Sequence, residues 1–211
     1  MTTKNNQRPY SRAAFQITIN LRSETAQRVI EREFERVAVV LYHLSVVRRI
    51  ISTEQEADVM ETEVRALICS VRDAIEKEIA RLSKLRADHG IQSEPQYTHP
   101  SEYQLQITSP LANDYLVIIQ SMDEVIMHVD SLWLAGVFTN AQRANAVFLW
   151  QRTILRMGRR IIGRNHRDSA SKGDSDNIES GSIQTEASTE NVGEVVQLPI
   201  DVRDTQPSVL Y

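Results

Sequence analysis

Between Arg22 and His89 the chain contains neither glycine nor proline. Glycine and proline are the strongest breakers of regular backbone, so nothing in this span forces the chain out of a helix. The apolar residues agree. Ile30, Phe34, Val37, Leu41, Leu44 and Ile51 recur at helical spacing. Ile30, Val37, Leu44 and Ile51 also form a sevenfold seam like that of a coiled coil, with Arg48 interrupting its second row. One unbroken helix of this length is unusual in a compact domain. ISTEQE, residues 51–56, offers the best reversal, because Ser52 with Gln55, or Thr53 with Glu56, fits a capping box. The pattern predicts a hairpin of two helices. The second covers about 54–88, with Ala57, Met60, Val64, Leu67, Val71, Ile75, Ile79, Leu82 and Leu85 inward, and stops at His89-Gly90. Cys69, the single cysteine, falls in ALICSV on that stripe and reads as a buried thiol in a reducing compartment.

The helix is preceded by a different period. In FQITINL, residues 15–21, Ile17, Ile19 and Leu21 point one way and Gln16, Thr18 and Asn20 the other, the alternation of a half-buried strand. Ser23 then stands as an N-cap with Glu24 in the first turn. EYQLQITSP, after a linker punctuated by Pro95 and Pro100, repeats the arrangement. Tyr103, Leu105 and Ile107 face one way, Gln104 and Gln106 the other, and Ser109-Pro110 starts a helix. Overlaying Ser23 on Ser109 aligns Thr18 with Gln104 and Asn20 with Gln106, so the two units repeat in pattern although not in identity.

The third helix places Leu111, Tyr115, Ile118, Met122, Val125, Val129 and Leu132 on one side and ends at Gly136. Asp123, Glu124 and Asp130 are single acids on this apolar helix and read as exposed. Thr139 and Gln142 form a capping box for a fourth helix to about Gly163, expected to bury Ala144, Val147, Phe148, Ile154, Leu155 and Ile161. Trp133 and Trp150 bracket the Gly136 turn as core or interface anchors. Beyond Arg167 the chain is rich in Ser, Gly and Asp without periodicity and reads as a disordered tail, with EVVQLPIDV at 194–202 as a short strand or docking peptide.

Charge divides the molecule. The net charge is −4, yet residues 168–211 alone carry −7 and residues 1–167 carry +3. Lys4, Arg8, Arg12 and Arg22 precede the first helix with no acid before Glu24. Arg152, Arg156, Arg160 and Arg164 are four apart on the fourth helix, with Arg159 beside them and no acid from 141 to 167. Such a face suits nucleic acid, anionic lipid, an acidic partner or the chain's own tail; it is also what a plain solvated helix looks like. The five histidines are scattered, and no metal set, catalytic triad, Gly-rich phosphate loop or cofactor motif is present. No enzymatic activity, metal or cofactor is expected. The N-terminus lacks the apolar core of a secretory signal and no run is long enough to span a bilayer, so a cytoplasmic location without membrane partners is expected.

A short alternating strand, a Ser-capped helix and a basic arm over about residues 8–50 resemble the ribbon-helix-helix DNA-binding fold. The resemblance implies that Gln16, Thr18 and Asn20 read base edges and that Lys4, Arg8, Arg12 and Arg22 hold phosphates. In that family the two strands come from two subunits. Here the second strand is available within the chain, and either pairing satisfies the pattern. One departure is plain: the family's tight turn after a short first helix is missing before Ser52. Across roughly 15–163, ITSPLANDYL at 107–116, DSLWLAG at 130–136 and Trp150-Gln151-Arg152 also resemble the AcaB-type transcriptional regulators of conjugative plasmids and integrative elements. That likeness implies a cytoplasmic, dimeric regulator of mobile-element genes that binds double-stranded DNA, with the transcription machinery or another regulator as further partner.

The expected architecture is mainly α: a long-helix bundle with a short two-stranded antiparallel β-ribbon, like a ribbon-helix-helix protein. Residues 1–14 form a basic flexible arm, 15–165 the helical domain with its ribbon, and 166–211 the acidic disordered tail. Dimerisation is expected because the seam of the first helix exceeds what one thin domain needs. A function of another class remains open, a helical scaffold or adaptor of a conjugation or nucleoprotein complex that binds protein only.

Overall fold

The computed structural model describes residues 13–47 and 54–173 of the chain. Lys4, Arg8 and Arg12, the reversal at Ser52 and Thr53 and the acidic tail beyond Gly173 lie outside those residues. Strand β1 is Phe15–Leu21. The helical segment α1 follows as an α-helix Glu24–Val29, a π-helical stretch Ile30–Phe34, an α-helix Glu35–Tyr42 and a second π stretch His43–Val47. Helix α2 is Glu54–Asp88, strand β2 Ser101–Ile107, helix α3 Pro110–Leu134 and helix α4 Asn140–Gly173. The last helix thus runs past the boundary expected near residue 165.

The ends of these elements sit where local chemistry puts them. Ser23 Oγ accepts from Ala26 N and Ser109 Oγ from Ala112 N, both at 3.3 Å. Thr139 and Gln142 cap each other, Thr139 N donating to Gln142 Oε1 (2.8 Å) and Gln142 N to Thr139 Oγ1 (3.2 Å). Gly90 closes α2 at φ +67 and Gly136 closes α3 at φ +75, left-handed positions that only glycine adopts at no steric cost.

The two strands pair within the one chain, antiparallel, with Thr18 opposite Gln104 and the other pairs ranked evenly on either side. Thr18 and Gln104 are also the residues that the Ser23-on-Ser109 overlay matches. The ribbon therefore has an approximate twofold axis at its centre. The helices follow that axis. Segment α1 runs antiparallel to α3: Ser23 N meets Asp123 at one end and the Phe34 ring stacks on Tyr115 at 6.4 Å further along. Helix α2 runs parallel to α3, since Arg72 reaches Asp114 (2.9 Å) and Arg86 reaches His128 (3.0 Å) in the same order along both. Helix α4 runs parallel to α1: Thr25 borders the cleft lined by Val147 and Phe148, Gly158 packs at Val37, and Ile162 lies beside Val39 and Val40. Each unit is a strand followed by two helices, and the second helix of each lies along the first helix of the other.

One core joins all of them, including Leu21, Val37, Leu41, Leu44, Ile68, Ile75, Leu82, Leu111, Tyr115, Ile118, Met122 and Ile154. Burying side chains of this size stabilises by about 1.5–3 kcal/mol each. The seam of α1 is satisfied inside the chain, because Ile30, Val37 and Leu44 are buried against its own helices. The need for a partner helix inferred from that seam is thereby removed.

Several sequence expectations change. Cys69 is exposed. The stripe of α2 passes through Val64, Ile68, Val71 and Ile75, and the residue after Ile68 is turned about 100° off it. On α4 the buried row is Ala146, Trp150, Ile154, Met157 and Ile161, while Phe148 stands 60% exposed and Ala144 is exposed as well. Two apolar rows compete at the start of that helix, and the row carrying Trp150 wins. Asp123 and Asp130 are buried rather than exposed, because partners distant in sequence come to meet them.

Candidate nucleic-acid interface

The alternation in β1 and β2 sorts the ribbon into two faces. Ile19, Leu21 and Ile107 are buried against the helices, with Ile17, Tyr103 and Leu105 half-buried beside them. Gln16, Thr18 and Asn20 all face solvent. Opposite them on β2 stand Gln106, Gln104 and Glu102, also exposed. The outer face is thus a double row of short polar side chains: three from β1 that the sequence singles out, and three from β2. Glu102 does not stand out in the sequence, where the alternation of β2 begins a residue later. Its signal is the register opposite Asn20, which a lone sequence does not reveal. Phe15, although on the apolar side, is 78% exposed at the ribbon end.

The base of the ribbon is held by polar contacts from α3 and the 89–100 linker. Asp123 Oδ1 accepts from Ser23 N (2.8 Å) and Oδ2 from Arg22 N (3.0 Å). Its carboxylate also takes Arg22 Nε at 3.4 Å, and Glu94 lies 3.6 Å from the same guanidinium. Arg22, expected on phosphate, is therefore already ion-paired within the chain, and a phosphate there would compete with two carboxylates. Gln27 Nε2 donates to Leu21 O (3.0 Å) and His99 O (2.9 Å), tying the end of β1 to the approach of β2. Arg86 Nη2 donates to Ser93 O (3.1 Å). Tyr97 Oη donates to Asp130 (2.9 Å), whose other oxygen accepts from Arg143 Nε. The Arg143 guanidinium sits 4.6 Å over the Trp133 ring, so that indole serves as a cation-π platform inside the fold.

Electrostatics at this base follow burial. Desolvation, reinforced by the Asp130 charge, pushes the Tyr97 phenol well above its usual range. Desolvation and then the Arg86 charge hold the His128 imidazole below its ordinary value. On the ribbon, partial desolvation and the hydrogen bond from Tyr103 Oη to Glu31 (2.8 Å) raise Tyr103.

The second basic set lies apart from this surface. Arg152, Arg156, Arg159 and Arg160 are exposed on α4, Arg159 Nε donating to Leu155 O (3.2 Å), and Arg164 forms an ion pair with Glu63 of α2. No group of His, Cys, Asp or Glu among the described residues is placed to hold a metal ion. No helix among them is long and apolar enough to cross a membrane.

No family model matches the chain, and no curated protein matches it. Among solved structures it is similar to the crystal structure of selenomethionine-containing AcaB from uropathogenic E. coli. The two share 38% sequence identity with a TM-score of 0.74, over 79% of this chain and 88% of that one.

Proposed function

This chain belongs to the AcaB family, and from that premise we propose that it is a transcriptional regulator of mobile-element genes that lays its ribbon in the major groove of DNA. The observation carrying this reading is the outer ribbon face, where Gln16, Thr18 and Asn20 are exposed together with Gln104 and Gln106. A two-stranded ribbon fits the major groove, and Asn or Gln can bond bidentately to adenine N6 and N7. The crossed strand-helix-helix units support the same reading, since they hold such a ribbon without help from a second chain. Lys4, Arg8 and Arg12 supply phosphate contacts in this scheme, and Arg22 joins them only by exchanging its carboxylate partners. Phosphate contacts fix register and affinity, while base edges carry the sequence information. In this scheme the protein acts as a homodimer, as the family likeness implies and not because of the α1 seam, with the transcription machinery or another regulator as a further partner.

The test is binding of genomic duplex fragments at two salt concentrations. Selective binding that weakens steeply with salt is expected, and Asn20→Ala relaxes specificity more than it lowers non-specific affinity. Purified protein that ignores every duplex at low ionic strength, while retaining its protein partners, would leave the scaffold function in its place.

A further inference from the structure

The two strands of the ribbon are related by an approximate twofold axis, yet their outward residues differ. At one end Gln16 stands opposite Gln106, two amides. At the centre Thr18 faces Gln104. At the other end Asn20 faces Glu102, an amide against a carboxylate. A ribbon built from two identical strands would carry the same chemistry at both ends, and its DNA element would be a palindrome about the ribbon centre. This ribbon cannot be superimposed on itself by its own axis. Amides donate and accept and so suit adenine, whereas a carboxylate only accepts and suits the N4 amino group of cytosine.

We infer that one chain carries a complete reading ribbon with a direction, so that the element beneath it lacks internal twofold symmetry. Glu102, Gln104 and Gln106 act as specificity residues alongside the β1 set, and Glu102 fixes the polarity. The inference rests on the DNA-binding reading above and adds to it the class of sequence recognised: a short asymmetric duplex with cytosine favoured at the Glu102 end and adenine at the Gln16–Gln106 end. All six side chains are exposed, so exchanging them leaves the core untouched.

The experiment selects binders for the full-length protein from duplexes randomised over one short core. It is repeated with Glu102→Gln and with Gln106→Ala, each variant first checked for an unchanged thermal midpoint. The expected consensus has no dyad within the stretch protected by one ribbon. Glu102→Gln reduces the preference for cytosine roughly tenfold or more at one end, towards adenine, and leaves the opposite end as it was. Gln106→Ala relaxes the opposite end alone. A consensus with its dyad inside one ribbon's footprint, or a Glu102→Gln selection identical to that of the unaltered protein, overturns the inference while leaving DNA binding standing. Failure to bind any duplex removes the DNA-binding reading and this inference with it.

Discussion

Asp123 shows how one side chain can set the geometry of a surface it never reaches. It lies in the middle of α3, buried, and accepts the backbone N–H groups of Arg22 and Ser23 where β1 turns into α1. Asp123→Ala leaves both donors without their acceptor and should cost about 2–4 kcal/mol in urea unfolding, while Asp123→Asn, which keeps one oxygen, should cost less. His128 gives a pH signature. Its folded pKa is depressed by desolvation and by Arg86, with Arg22 acting the same way and Glu124 and Glu94 opposing. A depressed imidazole binds its proton more weakly folded than unfolded. Stability is therefore complete above the unfolded pKa of about 6.5 and declines as pH falls through that value towards the folded one. Unfolding free energies measured from pH 8 to 5 should show this decline, and His128→Gln should flatten it. The sequence hides the roles of these acids and this histidine because their partners, Arg22, Ser23, Tyr97 and Arg86, are remote along the chain. Periodicity identifies which face a residue occupies; it does not say what arrives there.

At the scale of elements, caps and breaks are legible because their chemistry is local. Ser23, Ser109-Pro110, Thr139 with Gln142, Gly90 and Gly136 all mark the ends they suggest. The π-helical stretches at Ile30–Phe34 and His43–Val47 are not legible, since each is only five residues long and the three- and four-residue spacing of the apolar seam continues through them. Nor is the rotation of α4, where only packing decides between two apolar rows. Glycine on α4 separates the contributions of packing and propensity. A Cβ at Gly158 would lie 3.1 Å from Tyr115 Oη and 3.2 Å from Val37 Cγ2, whereas one at Gly163 would meet nothing within 4 Å. Gly163→Ala should stabilise by up to about 1 kcal/mol through helix propensity. Gly158→Val should destabilise by about 1–3 kcal/mol, as overpacking does. Thermal or urea unfolding of the two variants separates the effects, and a loss of stability at Gly163 would contradict the open space beside it.

For the molecule as a whole, the repeat of strand, Ser cap and helix is visible as a pattern, but the second helix of each unit as part of that repeat, and the partner of each strand, are not. The antiparallel register depends on helices that cross between units, information absent from either strand alone. Charge at this scale yields a further expectation. If Lys4, Arg8 and Arg12 neutralise phosphates, replacing all three by alanine should weaken binding to every duplex alike and reduce the slope of log K against log salt by about 0.9 for each phosphate no longer neutralised. An unchanged slope would take the arm out of the interface. The exposed Phe148 and the internally filled α1 seam point the search for a dimer contact away from that seam. The order of synthesis adds a last consequence. Phe15 pairs with Ile107 and Leu21 with Ser101, so a ribosome has built about half the protein before the first strand finds its neighbour. Nascent chains and early-terminated products that stop short of β2 carry the β1 side chains but have no pleated pair on which to display them.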